Sequence, residues 1–180
     1  GLPWRETMMG KYVIFPVLKT VLSWDRALGH FESEGHKILT LVNSVQPEEQ
    51  FRPVLIPRIT GIEDSSRFWS IAMTLQHLLI VGEMIADFIV KLSYGQAVTT
   101  TLDIAAVKPA KDQSPQIVAD YETFLGNFRT LLEKPVGDKH SSSCCVHPWF
   151  GCLNPHQWLV MSTFHQFIHR RQIHQIIKHL

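Results

Sequence analysis

Apolar residues recur every three or four positions over four long stretches of the chain, and the prolines gather in the gaps between them. At the helical period of about 3.6 residues, the first stretch runs from Phe15 or Val17 to Ser44. Leu18, Val21, Leu22, Leu28, Phe31, Ile38, Leu39 and Val42 form its stripe. Gln46-Pro47 stops it, and Pro53, Pro57 and Gly61 mark a connection that suits no helix interior. Asp64-Ser65-Ser66 offers N-cap chemistry for a second helix over 66–93. That helix is apolar nearly all round, which predicts a central position covered on several sides. Tyr94-Gly95 ends it.

Residues 96–113 read as a long loop with a short extended piece at 100–104. Ser114 as cap and Pro115 in the first turn open a third helix, carried to Glu133 by Ile117, Tyr121, Phe124, Leu125, Phe128 and Leu132. A loop over 135–153 follows. Asn154-Pro155 then opens a fourth helix that reaches the C-terminus. With no internal repeat and no convincing strand pattern, the fold class predicted is all-α: an up-down four-helix bundle with long connecting loops, one domain over 1–180.

Composition supports a packed core rather than a disordered chain, since 45% of the 180 residues are hydrophobic. A net charge of +1 with scattered Lys and Arg argues against a nucleic-acid partner. A membrane is not expected either. The apolar stretch from Tyr12 to Leu22 is interrupted by Pro16 and Lys19 and falls short of the roughly 20 residues a span needs. No cleavage site for a secretory signal follows it. The longer run from Ile71 to Leu92 carries Gln76, His77, Glu83, Asp87 and Lys91, which suits a buried helix of a soluble bundle. Three cysteines, two of them adjacent (Cys144 and Cys145), make a poor disulfide framework and lack CxxC spacing. They read as reduced thiols of a cytoplasmic protein, with a redox-sensitive loop as the alternative.

The histidines change the picture. His165 and His169 stand four residues apart, about 6 Å of rise and about 40° of rotation, so both rings leave one helix face and can converge on one ion. They fall on an inward stripe with Met161, Ile168, Ile173 and Ile176. His77 lies on the most apolar helix, where a buried ring is costly unless its nitrogens are bonded. Ligands from facing helices are how bundles build metal sites. His140, His156, His174 and His179 require no special role.

Two stretches resemble the DinB-like metal-binding four-helix bundles. One is Arg67-Phe68-Trp69-Ser70 through Gln76-His77-Leu78. The other is His147-Pro148-Trp149-Phe150-Gly151, then Gln157-Trp158-Leu159, then His165-Gln166-Phe167-Ile168-His169-Arg170-Arg171-Gln172. The resemblance implies a divalent ion, nickel or zinc, on His77, His165 and His169. It also implies a homodimer and, for some members, thiol-dependent transferase or isomerase chemistry. Acidic residues often follow the family's helix-two histidine; here Glu83 comes six residues later, turned about 120° away from His77, and is not expected to be a ligand.

Three nitrogen ligands without a fourth leave a position open for water or substrate. This points to a metal-dependent hydrolase or thiol transferase acting on a small molecule or a low-molecular-weight thiol, with His147 as the acid/base candidate. Trp69 and Trp158 read as core packing. Two other readings stay open: a non-catalytic, stress-related metal-binding or interaction module, and a metal-free bundle with a vestigial site. Because imidazole binds metal only when neutral, metal loss is expected as pH falls through about 6.

Overall fold

The computed structural model describes residues 2–98 and 105–180, so the extended piece expected at 100–104 lies outside the described residues. The chain opens with α1 (Trp4–Met9), which passes through a π-helical turn (Gly10–Ile14) into α2 (Phe15–Val21). The four long helices are α3 (Trp24–Val42), α4 (Ile71–Ser93), α5 (Ile117–Glu133) and α6 (Pro155–His179). Two small antiparallel ribbons accompany them: β1 (Val54–Leu55) with β2 (Phe68–Trp69), and β3 (Cys145–His147) with β4 (Gly151–Leu153). The fold is the expected four-helix bundle. Each of α3 and α4 packs on both α5 and α6, so α3 and α4 take opposite corners. The long connection between them follows from that placement.

Local chemistry explains where the helix boundaries differ from the periodic pattern. The first predicted helix is broken: Leu22 is extended, and the Ser23 hydroxyl caps α3 by accepting from the Arg26 N–H at 3.4 Å. Apolar spacing runs through this corner without a gap, and Leu18 and Leu22 before it pack against the same core as Leu28 and Phe31 after it. The second helix starts five residues later than its first cap signal. Asp64–Ser66 closes a 3-10 turn and Phe68–Trp69 pairs with Val54–Leu55, so the cap is Ser70, which accepts from Met73 N at 3.0 Å. The third begins at Ile117 rather than at Pro115, its entry held by a bond from Gln116 N to the Ser114 hydroxyl at 3.1 Å. Asn154 and Gln157 form the capping box of α6, with Pro155 in its first turn, as expected.

The buried residues of all four long helices form one continuous core, with Leu28, Phe31, Leu75, Ile85, Tyr121 and Trp158 among its largest members. Each such side chain contributes about 1.5–3 kcal/mol by leaving water. Phe31 stacks on Phe128 with ring centres 3.7 Å apart. Gly82 is needed for this packing, since a Cβ there would collide with the ring of Phe124. By length and composition α4 could cross a membrane, but here most of its apolar surface is covered by α5 and α6. Arg170 of α6 bonds Glu34 of α3 at 2.6 Å. Burial raises the pKa of that carboxyl, but Arg170 and Lys37 outweigh burial and hold it below its ordinary value.

The reading of all three cysteines as reduced thiols is corrected. Cys144 and Cys152 form a disulfide across the β3–β4 hairpin, and Cys145 alone is free and buried. The hairpin is the physical reason: pairing Val146 with Cys152 brings residues eight apart in sequence to a Cα separation of 5.5 Å, within bonding range.

Candidate metal centre

The three histidines singled out in the sequence meet. His77 from α4 and His165 and His169 from α6 present ring nitrogens that all lie within 4.8 Å of one another. His165 Nε2 stands 3.1 Å from His77 Nε2 and 3.1 Å from His169 Nε2. His77 and His169 are buried and His165 is partly so. Trp69 walls the cluster, its ring 5.3 Å from that of His77 and parallel to that of His169 at 6.3 Å.

The outer nitrogens decide what the inner ones are. His77 Nδ1 donates to the Val107 carbonyl at 2.6 Å, so its Nε2 carries a lone pair. His169 Nδ1 donates to Gln172 Oε1 at 2.7 Å, and the same amide donates to the Ser66 carbonyl at 2.7 Å, which fixes its orientation. His169 Nε2 is therefore a lone pair too. A neutral His165 can offer at most one proton to these two, so at least one buried lone pair has no protein hydrogen to accept. A cation satisfies all three. Two imidazole nitrogens held tetrahedrally at about 2.0–2.1 Å from one ion stand about 3.3 Å apart, near the 3.1 Å of the His77–His165 and His165–His169 pairs, while the three nitrogens as a set lie within 4.8 Å. The rings, their tautomers and their outer partners are thus arranged as residues that could hold a metal ion.

Electrostatics agree with neutral rings. Burial lowers the pKa of His77, against an opposing bond to Val107 and the nearby charge of Glu63. Burial lowers His165 and His169 well below the ordinary imidazole value, and the histidines' mutual repulsion adds to this.

His147 borders the same cavity from the end of β3. Its Nδ1 accepts from the backbone N–H groups of Trp149 at 3.1 Å and Phe150 at 3.3 Å, which places its proton on Nε2. Burial pushes its pKa down to about 4, so at neutral pH it is an uncharged ring with one N–H. The cavity above the triad has a volume of about 300 Å³, and α1 with the π-helical turn after it closes one side. Glu6 latches that side, bonding the Arg58 guanidinium and the Gly61 N–H, while Phe15 stacks on Phe150 at 4.8 Å. Trp69 and Trp158, read from sequence as core packing, are buried and also wall this cavity.

Two contributors had little or no signal in sequence. Val107 lies in the long loop, and only the fold carries its carbonyl to His77. Gln172 appeared as part of a motif; its work is to orient His169.

The fold is shared with a solved structure. The crystal structure of TT2238, a four-helix bundle protein, is similar with a TM-score of 0.57 and 21% identity, over 84% of this chain and 98% of that one. No protein-family model matches the chain, and comparison with curated protein sequences yields no match either.

Proposed function

We propose that the protein binds one divalent metal ion, nickel or zinc, on His77, His165 and His169, and is a metal-dependent enzyme acting on a small molecule. The observation that carries this reading is the convergence of three Nε2 atoms while His77 and His169 spend Nδ1 on carbonyl oxygens. The residues quoted for the DinB-like resemblance include all three, and the shared bundle fold is in keeping with it.

When bound, such an ion supplies Lewis acidity and lowers the pKa of a bound water to about 7. Val107 and Gln172 hold the ring tautomers, Trp69 keeps bulk water from the rings, and His147 offers an N–H beside the site. Three protein ligands with a cavity above them favour catalysis over a structural staple, which normally has four ligands. Hydrolysis and transfer of a thiol are the reaction classes this reading carries, with a small-molecule substrate or thiol and a homodimer in the cytoplasm as its setting. That setting requires the Cys144–Cys152 bond to open in a reducing compartment.

Metal content tests the reading. Untagged protein, purified without a nickel column, should carry about one ion per chain by mass spectrometry, and His77→Ala and His165→Ala should carry none. Wild-type protein that stays metal-free after addition of zinc or nickel would end it.

A further inference from the structure

The chamber above the triad says what kind of molecule it accepts. Its walls are aromatic and aliphatic: Trp69, Trp149, Phe150, Phe164, Val81 and Met84 border it. A volume of about 300 Å³ is at the small end of ligand cavities. Among the described residues, the charged ones at its border are Glu6, Glu63, Lys108 and Arg171, two of each sign. The triad itself contributes only neutral imidazoles. Among the described residues no carboxylate belongs to the three-histidine cluster itself; Glu63, at the chamber's border, reaches His77 only through its charge. His147 adds an N–H donor and no acceptor, because its Nδ1 is already spent.

We propose that the chamber binds a molecule with an aryl body and a single anionic, metal-ligating head, such as a carboxylate or thiolate, with the body among the aromatic walls and the head between the triad and His147. This rests on the metal reading above and adds the substrate class to it. An apolar body gains by leaving water, and the anionic head offsets the ion's charge while accepting from His147. A cationic head would meet like charge and a second donor. A large, many-hydroxyl molecule would leave its polar groups unpaired among the aromatic walls.

The test is calorimetric titration of zinc-loaded protein with hydroxamates, whose head is an anionic metal ligand. Acetohydroxamate is compared with the phenylaceto, phenylpropano and phenylbutano members, and with phenylalkylamines of the same bodies. Affinity is expected to rise about fourfold per added methylene while the chamber fills, at about 0.8 kcal/mol per buried methylene. The amines should bind at least a hundredfold more weakly. Val81→Phe, one turn from His77, should keep its zinc and its acetohydroxamate affinity but lose tenfold or more toward the phenylbutano member. His147→Phe should weaken every hydroxamate about tenfold.

Zinc bound at one per chain, with acetohydroxamate as tight as the aryl members, would overturn the inference and leave the metal site standing. Amines binding as well as hydroxamates would overturn the choice of head. An unchanged aryl affinity in Val81→Phe would show that the body lies elsewhere. Failure of the wild type to take up zinc would remove both this inference and the reading beneath it.

Discussion

Two clusters of histidine rings sit in this bundle, and they differ in how their nitrogens are used. In the triad, His77 and His169 give Nδ1–H to carbonyl oxygens and turn Nε2 lone pairs toward one point. In the other cluster, His140 and His156 approach to 5.0 Å between ring centres, as close as His77 and His165. There His156 donates from Nε2 itself to the Leu22 carbonyl at 2.8 Å, at the corner between α2 and α3. Burial lowers its pKa, with a further push from His140. Ring proximity alone therefore does not mark a metal site. What matters is which nitrogen the protein has already satisfied.

Removing one ring from each cluster should give the largest difference. His165→Ala should abolish metal binding, from about one ion per chain to none by mass spectrometry. His156→Ala should leave the metal in place. Loss of metal in His156→Ala would mean that the carbonyl bond is not what separates the two clusters.

A smaller effect is expected from the outer partner. Gln172→Leu keeps all three ligands but frees the His169 tautomer and strips the Ser66 carbonyl of its donor. Metal affinity should fall about 10- to 100-fold, read by competition against a chelator. An unchanged affinity would show that the tautomer needs no help from Gln172.

Acid should separate the clusters by degree. The unfolded chain protonates its histidines near pH 6.5, whereas burial holds the native triad and His147 lower, His147 at about 4. The unfolded state therefore binds more protons in that window. Metal-free protein should lose stability as pH falls below about 6.5, by up to about 1.4 kcal/mol per pH unit for each such proton. For His147 the loss should be complete near pH 4. Denaturant titrations at pH 7.5, 6 and 5 measure it, and a flat profile would mean that the rings are not held neutral. The same burial should move proton-driven metal release below the pH of about 6 expected from unperturbed histidines. The smallest effect belongs to His156→Ala in stability, about 1 kcal/mol by thermal or urea unfolding, for one bond lost and one carbonyl left without its donor.

Much of the bundle was legible before the structure. Apolar residues at a 3.6-residue period can be buried only if the segment is helical, so four such stretches separated by prolines already imply four packed helices. The boundaries were less so. Asp64-Ser65-Ser66 and Ser70 carry the same cap chemistry, and only the pairing of β1 with β2 selects Ser70. The corner at Leu22–Ser23 lies where apolar spacing continues from one helix into the next, and α1 lies ahead of the first periodic stretch. The Cys144–Cys152 bond was misread because spacing says nothing of a hairpin that brings two strands into register.

For the site, helical geometry alone put His165 and His169 on one helix face, because four residues nearly complete a turn. The sequence pattern also placed His77 on an apolar helix that would have to be buried. The packed chain was needed to show that α4 and α6 bring these rings to 3.1 Å, that a carbonyl from the long loop fixes one tautomer, and that Gln172 and Ser66 fix another. Facing directions along one helix follow from backbone geometry within a few residues. Hydrogen-bond partners from residues 30 or 106 positions away exist only once the chain has closed on itself.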